Sequence, residues 1–234
     1  MNLEAIKTDV QDDLCRKILS VASLFNHEFN IDWLQELTAE KASTIFAALD
    51  AGVQKKCLSH KKNGFFYFIN AAEQEKYRSL LSLEEKKKLH KQIVDLLYQE
   101  LSGDPHRLQS IVPHLFFLNN DLNGCRFLVE YGNSSEKEFR YDKARQAYGK
   151  AIEDLRKLSD QGAQNLFIRA ALRYSKVCVD EIGVDKTISI LKEAIDLVNP
   201  EQDKNSLALL EMYLAKNEWM RSRFKNACRH FKKE

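Results

Sequence analysis

The stretch from Tyr141 to Leu158, YDKARQAYGKAIEDLRKL, returns further along the chain, and that recurrence constrains the fold more than any other feature. Its small and apolar residues Ala144, Ala147, Tyr148, Ala151, Ile152 and Leu155 recur at steps of three and four. A helix gathers residues at that spacing on one side. VDKTISILKEAIDLV, Val184 to Val198, repeats the Asp-Lys and the later Ala-Ile in register, and FKNACRHFKKE from Phe224 opens a third copy. Aligning Ala144 with Thr187 and Ala227 sets the copies roughly 40 residues apart, a period that one helical hairpin fills in a helical solenoid. Ala163–Glu181 and Ser206–Met220 supply the partner helices, with Phe167, Ala170, Ala171, Tyr174 and Cys178 on one and Leu210, Tyr213 and Leu214 on the other. Gly183 and Asn199-Pro200 punctuate the turns.

Composition agrees with a mostly α build joined by short connections, since the chain has only 8 Gly and 3 Pro with 30% charged residues. A net charge of +2 does not point to nucleic acid. The cysteines Cys15, Cys57, Cys125, Cys178 and Cys228 are far apart and never form Cys-x-x-Cys, so they read as reduced, part-buried thiols. No apolar run approaches the roughly 20 residues needed to span a bilayer. The N-terminus MNLEAIKTDVQDDL is acidic and polar, unlike a signal or transit peptide, so a cytoplasmic chain is expected.

Ahead of the repeats, residues 10–25 carry Leu14, Ile18, Val21, Ala22 and Phe25 on one helical stripe. Asn30 is placed to cap a short second helix with Trp33, Leu34 and Leu37, and Thr38 a third with Ala42, Ile45, Phe46, Leu49 and Val53 on one face. A hairpin follows: CLSHKK, then Asn63-Gly64, then FFYFIN, with Asn-Gly matching a type I′ turn. Three helices followed by a two-stranded hairpin is the order of a winged helix. Ala71–Leu81 reads as a helix, and Ser82-Leu83-Glu84-Glu85 is a capping-box pattern opening another that ends near Gly103. Asp104-Pro105 starts the next, and Pro113 predicts a kink or a restart within it. A helix from Leu122 to Tyr131 is expected to run into Gly132-Asn133-Ser134-Ser135, the best linker candidate. The expected division is 1–81 for the winged-helix-like domain, 82–134 for a connecting helical region and 135–234 for the repeats.

Motifs for catalysis are missing. Gly149-Lys150 lies mid-helix with Ala144 where the first glycine of a phosphate-binding loop belongs, so it makes no nucleotide cradle. His27-Glu28 has no second histidine four residues on, and no Gly-x-Ser-x-Gly elbow occurs. The expectation is therefore a chain that is not an enzyme and carries no cofactor or metal. His90 sits at the margin of an apolar stripe, as a core-edge histidine with one hydrogen bond would.

Two sets of exposed cations are candidate contacts. Arg169, Arg173, Lys176 and Lys216 lie on the partner helices of the repeats and are the candidates for binding a protein or peptide. Lys55, Lys56, His60, Lys61 and Lys62 sit on and beside the hairpin, where a winged helix touches phosphate. The outward residues of the third helix (Glu40, Lys41, Ser43, Thr44, Ala47 and Asp50) include no Arg, which speaks against base reading.

Taken in order, LSVASLFNHEFNIDWLQEL, AALDAGV, FFYFINAAEQEKYRSLLSLEEKKKLHKQIVDLL, IVPHLFFLNN and YDKARQAYGKAIEDL resemble the segment that follows the ATPase core in STAND-class signalling ATPases, including LuxR-type activators with a large ATPase. Ala22, Phe25, Phe29, Leu89, His90 and His114 stand at matching places, across roughly residues 14–158. Where that family has Phe-x-His-Asp, this chain has Phe68-Ile69-Asn70-Ala71. The resemblance implies a winged-helix unit that packs on an ATPase core, then tetratricopeptide-like repeats that bind a protein or effector, within a non-catalytic regulatory segment of a larger regulator. The alternative is a winged-helix DNA-binding regulator with a repeat-type effector domain. No membrane partner is expected, and nucleic acid is disfavoured.

Overall fold

Apolar stripes become helices here, and side chains cap the N-termini of several of them, Asn30, Asn70, Ser82, Asp121, Asp160 and Asp203 among the caps. The computed structural model describes residues 3–104, 106–178, 183–201 and 203–221, with side chains from Asp12 onward. The expected third repeat copy from Phe224, with Ala227, lies outside these residues. The chain divides into two compact units, Met1–Leu118 and Asn119–Glu234. The expected boundary at 134/135 falls inside a helix.

In the first unit, α1 (Leu3–Ala22), α2 (Ile31–Thr38) and α3 (Ala42–Gln54) pack on one another, followed by a hairpin of β1 (Leu58–His60) and β2 (Phe66–Phe68). Asn30 caps α2 by accepting the Trp33 N–H at 2.8 Å. Thr38 does not cap α3; its hydroxyl donates to the Leu34 carbonyl at 2.6 Å and accepts the Glu40 N–H at 3.3 Å. The chain instead turns at Ala39, φ 58°, and α3 begins after Lys41 without a side-chain cap. The buried face of α3 is Ile45, Ala48, Leu49 and Gly52, while Phe46 stays 56% exposed. Small residues decide that rotation: a Cβ on Gly52 would lie 2.8 Å from Leu58 Cδ1 of β1.

The hairpin forms in antiparallel register, Leu58 against Phe68, Ser59 against Tyr67 and His60 against Phe66. Its turn is not type I′, because Asn63 is not left-handed and only Gly64 is, at φ 77°. Gly64 N–H bonds the Lys61 carbonyl and Lys61 N–H bonds the Phe65 carbonyl at 2.7 Å, the three-residue loop with a left-handed glycine. A single bridge ties Phe29 to Phe66. The core of Ile18, Leu24, Phe25, Phe29, Leu34, Ile45, Leu49 and Leu58 is closed to solvent. Each such side chain contributes about 1.5–3 kcal/mol by leaving water.

Helix α4 (Ala71–Arg78) starts at Asn70, which accepts the Glu73 N–H at 2.8 Å. That cap is what stands where the resembled family has histidine. Helix α5 (Leu83–Glu100) opens with both halves of the expected capping box between Ser82 and Glu85, and Gly103 turns the chain at φ 89°. Helix α6 (Arg107–Leu115) runs through Pro113 without restarting and closes within two residues of it.

The second unit is α7 (Leu122–Lys137), α8 (Tyr141–Leu155), α9 (Gln161–Val177), α10 (Val184–Leu197) and α11 (Lys204–Met220). Each packs on the next, most extensively α7 on α8, and α9 also touches both α7 and α11. Gly132-Asn133-Ser134-Ser135 is therefore not a linker but part of α7, with Gly132 and Ser135 buried. Gly132 lets Tyr148 of α8 cross: a Cβ there would lie 2.4 Å from Tyr148 Cε1. Asp154, 1% exposed, ends α8 by ion pairing with Lys150 at 3.0 Å and Lys157 at 3.1 Å and by accepting the Asn120 amide at 2.7 Å.

Candidate functional site

Three consecutive elements of the second unit shape an open cavity of about 580 Å³. Helix α7 contributes Asn133, Glu136 and Lys137, the start of α8 contributes Tyr141, and the last turns of α9 contribute Arg173, Lys176 and Val177. Behind two of these residues stands Tyr148, a fully buried ring packed against Gly132, with its hydroxyl 2.8 Å from Asn133 Oδ1 and 3.0 Å from Glu136 Oε2. Burial and the neighbouring Glu136 carboxylate push the Tyr148 hydroxyl well above the ordinary tyrosine range. It stays a proton donor and holds Glu136 in place. Glu136 in turn accepts from Arg173 Nη1 at 3.4 Å. Burial also pushes Tyr213 of α11 upward, with the Glu136 carboxylate adding to the shift and the Arg173 guanidinium opposing it, so α11 borders the same charge pair.

Charge at the mouth is lopsided. Lys137 and Lys176 make no ion pair with a described carboxylate, and among the described residues Glu136 is the acid that lines the cavity with them. Arg173 remains 45% exposed at its side chain despite its pairing. The rim adds aromatic surface: Tyr141 is 48% exposed, and Phe139, in the α7–α8 turn at φ 58°, is 78% exposed with its ring edge-on to Tyr141 at 6.2 Å.

Of the four cations expected to bind protein, the structure brings Arg173 and Lys176 into this cavity. Arg169, one turn earlier on α9, and Lys216, on α11, are exposed and do not line it. Asn133, Glu136 and Lys137 escaped the sequence reading because they follow a glycine in a run of turn-forming residues. The signal that finds them is the small-residue stripe Cys125, Leu128, Val129, Gly132 and Ser135, which continues the helical spacing through the supposed linker.

The hairpin cations Lys55, Lys56, His60, Lys61 and Lys62 are all exposed. Lys61 is held by Glu28 across the hairpin, which takes one charge out of that group. Phe46, on the outer face of α3, is exposed to solvent.

Among the described residues, no group of three or more His, Cys, Asp or Glu is placed to hold a metal, and no helix is long and apolar enough to cross a membrane. Cys57, Cys125 and Cys178 are buried thiols, Cys15 is partly buried, and Cys228 and His230 lie outside the described residues. His90 is more than a core-edge residue: it is 4% exposed, with Nδ1 2.8 Å from Nδ1 of His114 and its ring stacked on Phe117 at 4.3 Å. Phe25 meets both Phe29 and His114, so four of the six positions carrying the family resemblance form one contiguous cluster.

No family model matches the chain, and no curated protein matches it. The chain is similar to a solved structure from Pyrococcus horikoshii, a signal transduction ATPase with numerous domains (STAND) protein with a tetratricopeptide repeat sensor. The identity is 10% and the TM-score 0.40, with all of this chain and 46% of that chain covered. The chain thus spans about half the length of that protein.

Proposed function

We propose that the chain is a non-catalytic regulatory segment whose second unit is an interaction module of tetratricopeptide-like repeats. In this reading α7–α8 and α9–α10 are successive hairpins, and α7, α9 and α11 form the inner face that receives a protein or peptide. The observation that carries it is the open, cation-rimmed cavity between alternate helices α7 and α9, with its Glu136 held from behind by the Tyr148 hydroxyl. The three helices and hairpin of the first unit act as a winged helix that packs against an ATPase core of a larger STAND-type signalling regulator, the place the sequence resemblance implies for it.

Panning a random peptide library on the intact chain tests the module. Enriched peptides should lose binding to an Arg173→Glu, Lys176→Glu variant that keeps its helical circular dichroism. Absence of enrichment over an inert protein sinks the reading. The exposed Lys55, Lys56 and Lys62 favour a second reading, duplex DNA binding by the hairpin. Sequence-preferring binding with a steep salt slope would favour that one, and weak binding lost at modest salt would remove it.

A further inference from the structure

We infer that the α7–α9 cavity, together with Arg169 one turn along α9 beyond its lining, takes an extended peptide bearing two acidic residues at alternate positions, next to an aromatic or apolar residue. This inference rests on the interaction-module reading and names the chemistry of its ligand. Charge sets the sign. Lys137, Arg173 and Lys176 surround the mouth, whereas Glu136, the one lining carboxylate among the described residues, is already held by Arg173 and the Tyr148 hydroxyl. An anion entering here meets two lysines with no described carboxylate partner and an arginine fixed in position by Glu136.

Spacing sets the pattern. Arg169, Arg173 and Lys176 lie four and three residues apart on α9, rising about 6 Å and about 4.5 Å along the helix, so positive charge extends over about 10 Å. A peptide in extended conformation brings same-side residues back every 6–7 Å or so, close to the first of those steps. Two acids separated by one residue therefore reach successive cations, and two adjacent acids point to opposite sides. Shape favours a linear ligand over a small molecule. The cavity is open, with Tyr141 half exposed at its edge, and such a cleft does not enclose most of a small ligand's surface as a closed pocket would. The aromatic pair Phe139 and Tyr141 supplies the apolar neighbour. Phe139 is an L-residue in the left-handed region with its ring in water, a conformation that costs of the order of a single turn residue's strain and leaves the ring available for contact.

The test uses the intact chain and fluorescent peptides of about nine residues, read by polarisation. One peptide carries Glu at positions n and n+2 with Phe at n+4, and an isomer of the same composition carries the two Glu side by side. The alternate isomer should bind about tenfold more tightly, and Arg169→Glu, which breaks no ion pair with a described carboxylate, should remove that preference. Tyr141→Ala should weaken the Phe-containing peptide more than one with Ser at n+4. Equal affinity of the two isomers, or displacement of the peptide as readily by single-stranded DNA or free glutamate, overturns the inference. Library-selected peptides that bind at Arg173 and Lys176 but lack an acidic pair would overturn it too, while leaving the interaction module intact. A library that yields no binder removes both.

Discussion

Glycine 132 and glycine 149 are both helical and both lie near tyrosine rings, yet physics assigns them opposite fates. Alanine in a helix interior is ordinarily worth about 0.5–1 kcal/mol over glycine, because glycine loses more backbone freedom on folding. At Gly149 the nearest atom to an added Cβ is Tyr174 Cε2 at 3.5 Å, ordinary contact, so Gly149→Ala should stabilise by roughly that amount. At Gly132 the added Cβ would lie 2.4 Å from Tyr148 Cε1 and 2.7 Å from Cδ1, on a ring that is fully buried and cannot swing aside. Overpacking should win there, and Gly132→Ala should destabilise by about 1–3 kcal/mol. Urea denaturation of both variants measures the contrast. Because Tyr148 fixes Glu136 through its hydroxyl, Gly132→Ala should also disturb the α7–α9 cavity without touching any residue that lines it.

Helix α7 is the element whose continuity matters most, since it carries the cavity's Asn133, Glu136 and Lys137 on the far side of an apparent break. Ser134→Pro discriminates the two possibilities. A proline in a linker is tolerated, whereas within α7 it removes a backbone hydrogen bond and clashes with the preceding turn, costing about 3 kcal/mol or more. We expect the larger loss, measured as a lower urea midpoint. What could be read from sequence at this scale follows the range of the forces involved. Asn30 and the Ser82–Glu85 box were legible because donor and acceptor sit three residues apart, so the chemistry is local. The Tyr141–Leu155 stripe was legible because one buried face imposes one period. Gly132-Asn133-Ser134-Ser135 was misread because turn propensity is local while the deciding constraint, the Tyr148 ring, comes from another helix. Helical spacing puts Phe46 on one face with Ile45 and Leu49, but the small residues Ala48 and Gly52 are the ones buried beside them and Phe46 is left in solvent. Arg173 and Lys176 were visible as cations, but their meeting with Lys137 and Glu136 is tertiary and has no linear signature.

Across the whole molecule, acid should unfold the two units at different pH. In the first unit, burial pushes His114 down to about 3, and burial pushes His90 down to about 4, each charge being further opposed by Arg78. Neutral rings are what the 2.8 Å Nδ1···Nδ1 contact needs, one donating and one accepting. Both values lie below the ordinary 6.5, so stability is full above about pH 6.5 and drains as pH falls toward 4, by about 1.4 kcal/mol per pH unit per histidine. The charged groups facing the pair, Arg78 on α4 and Lys86 on α5, are cationic throughout and do not offset this. The second unit lacks such a pair among its described residues. Burial of Asp154 alone would raise its carboxyl, but hydrogen bonds from Lys150, Asn120 and Lys157 outweigh it and hold the carboxyl below its usual 3.8. Stability from that group is present above 3.8 and lost only as pH falls further. Two probes separate the units: Trp33, 8% exposed and stacked on Phe25, reports the first, while Trp219, already 61% exposed, changes little. The Cys125 thiol, fully buried, reports the second through its reaction with dithiodipyridine, which proceeds in acid. The reaction is read at Cys125 itself by peptide mapping, because Cys15 and Cys57 of the first unit react with the same reagent. Trp33 emission should shift to the red at a pH at least one unit above that at which Cys125 becomes reactive. In a His90→Gln, His114→Gln variant the dependence of Trp33 unfolding on pH between about 6.5 and 4 should flatten. Coincident transitions, with a slope unchanged in that variant, would mean that the buried histidine pair does not govern the acid limit of the first unit.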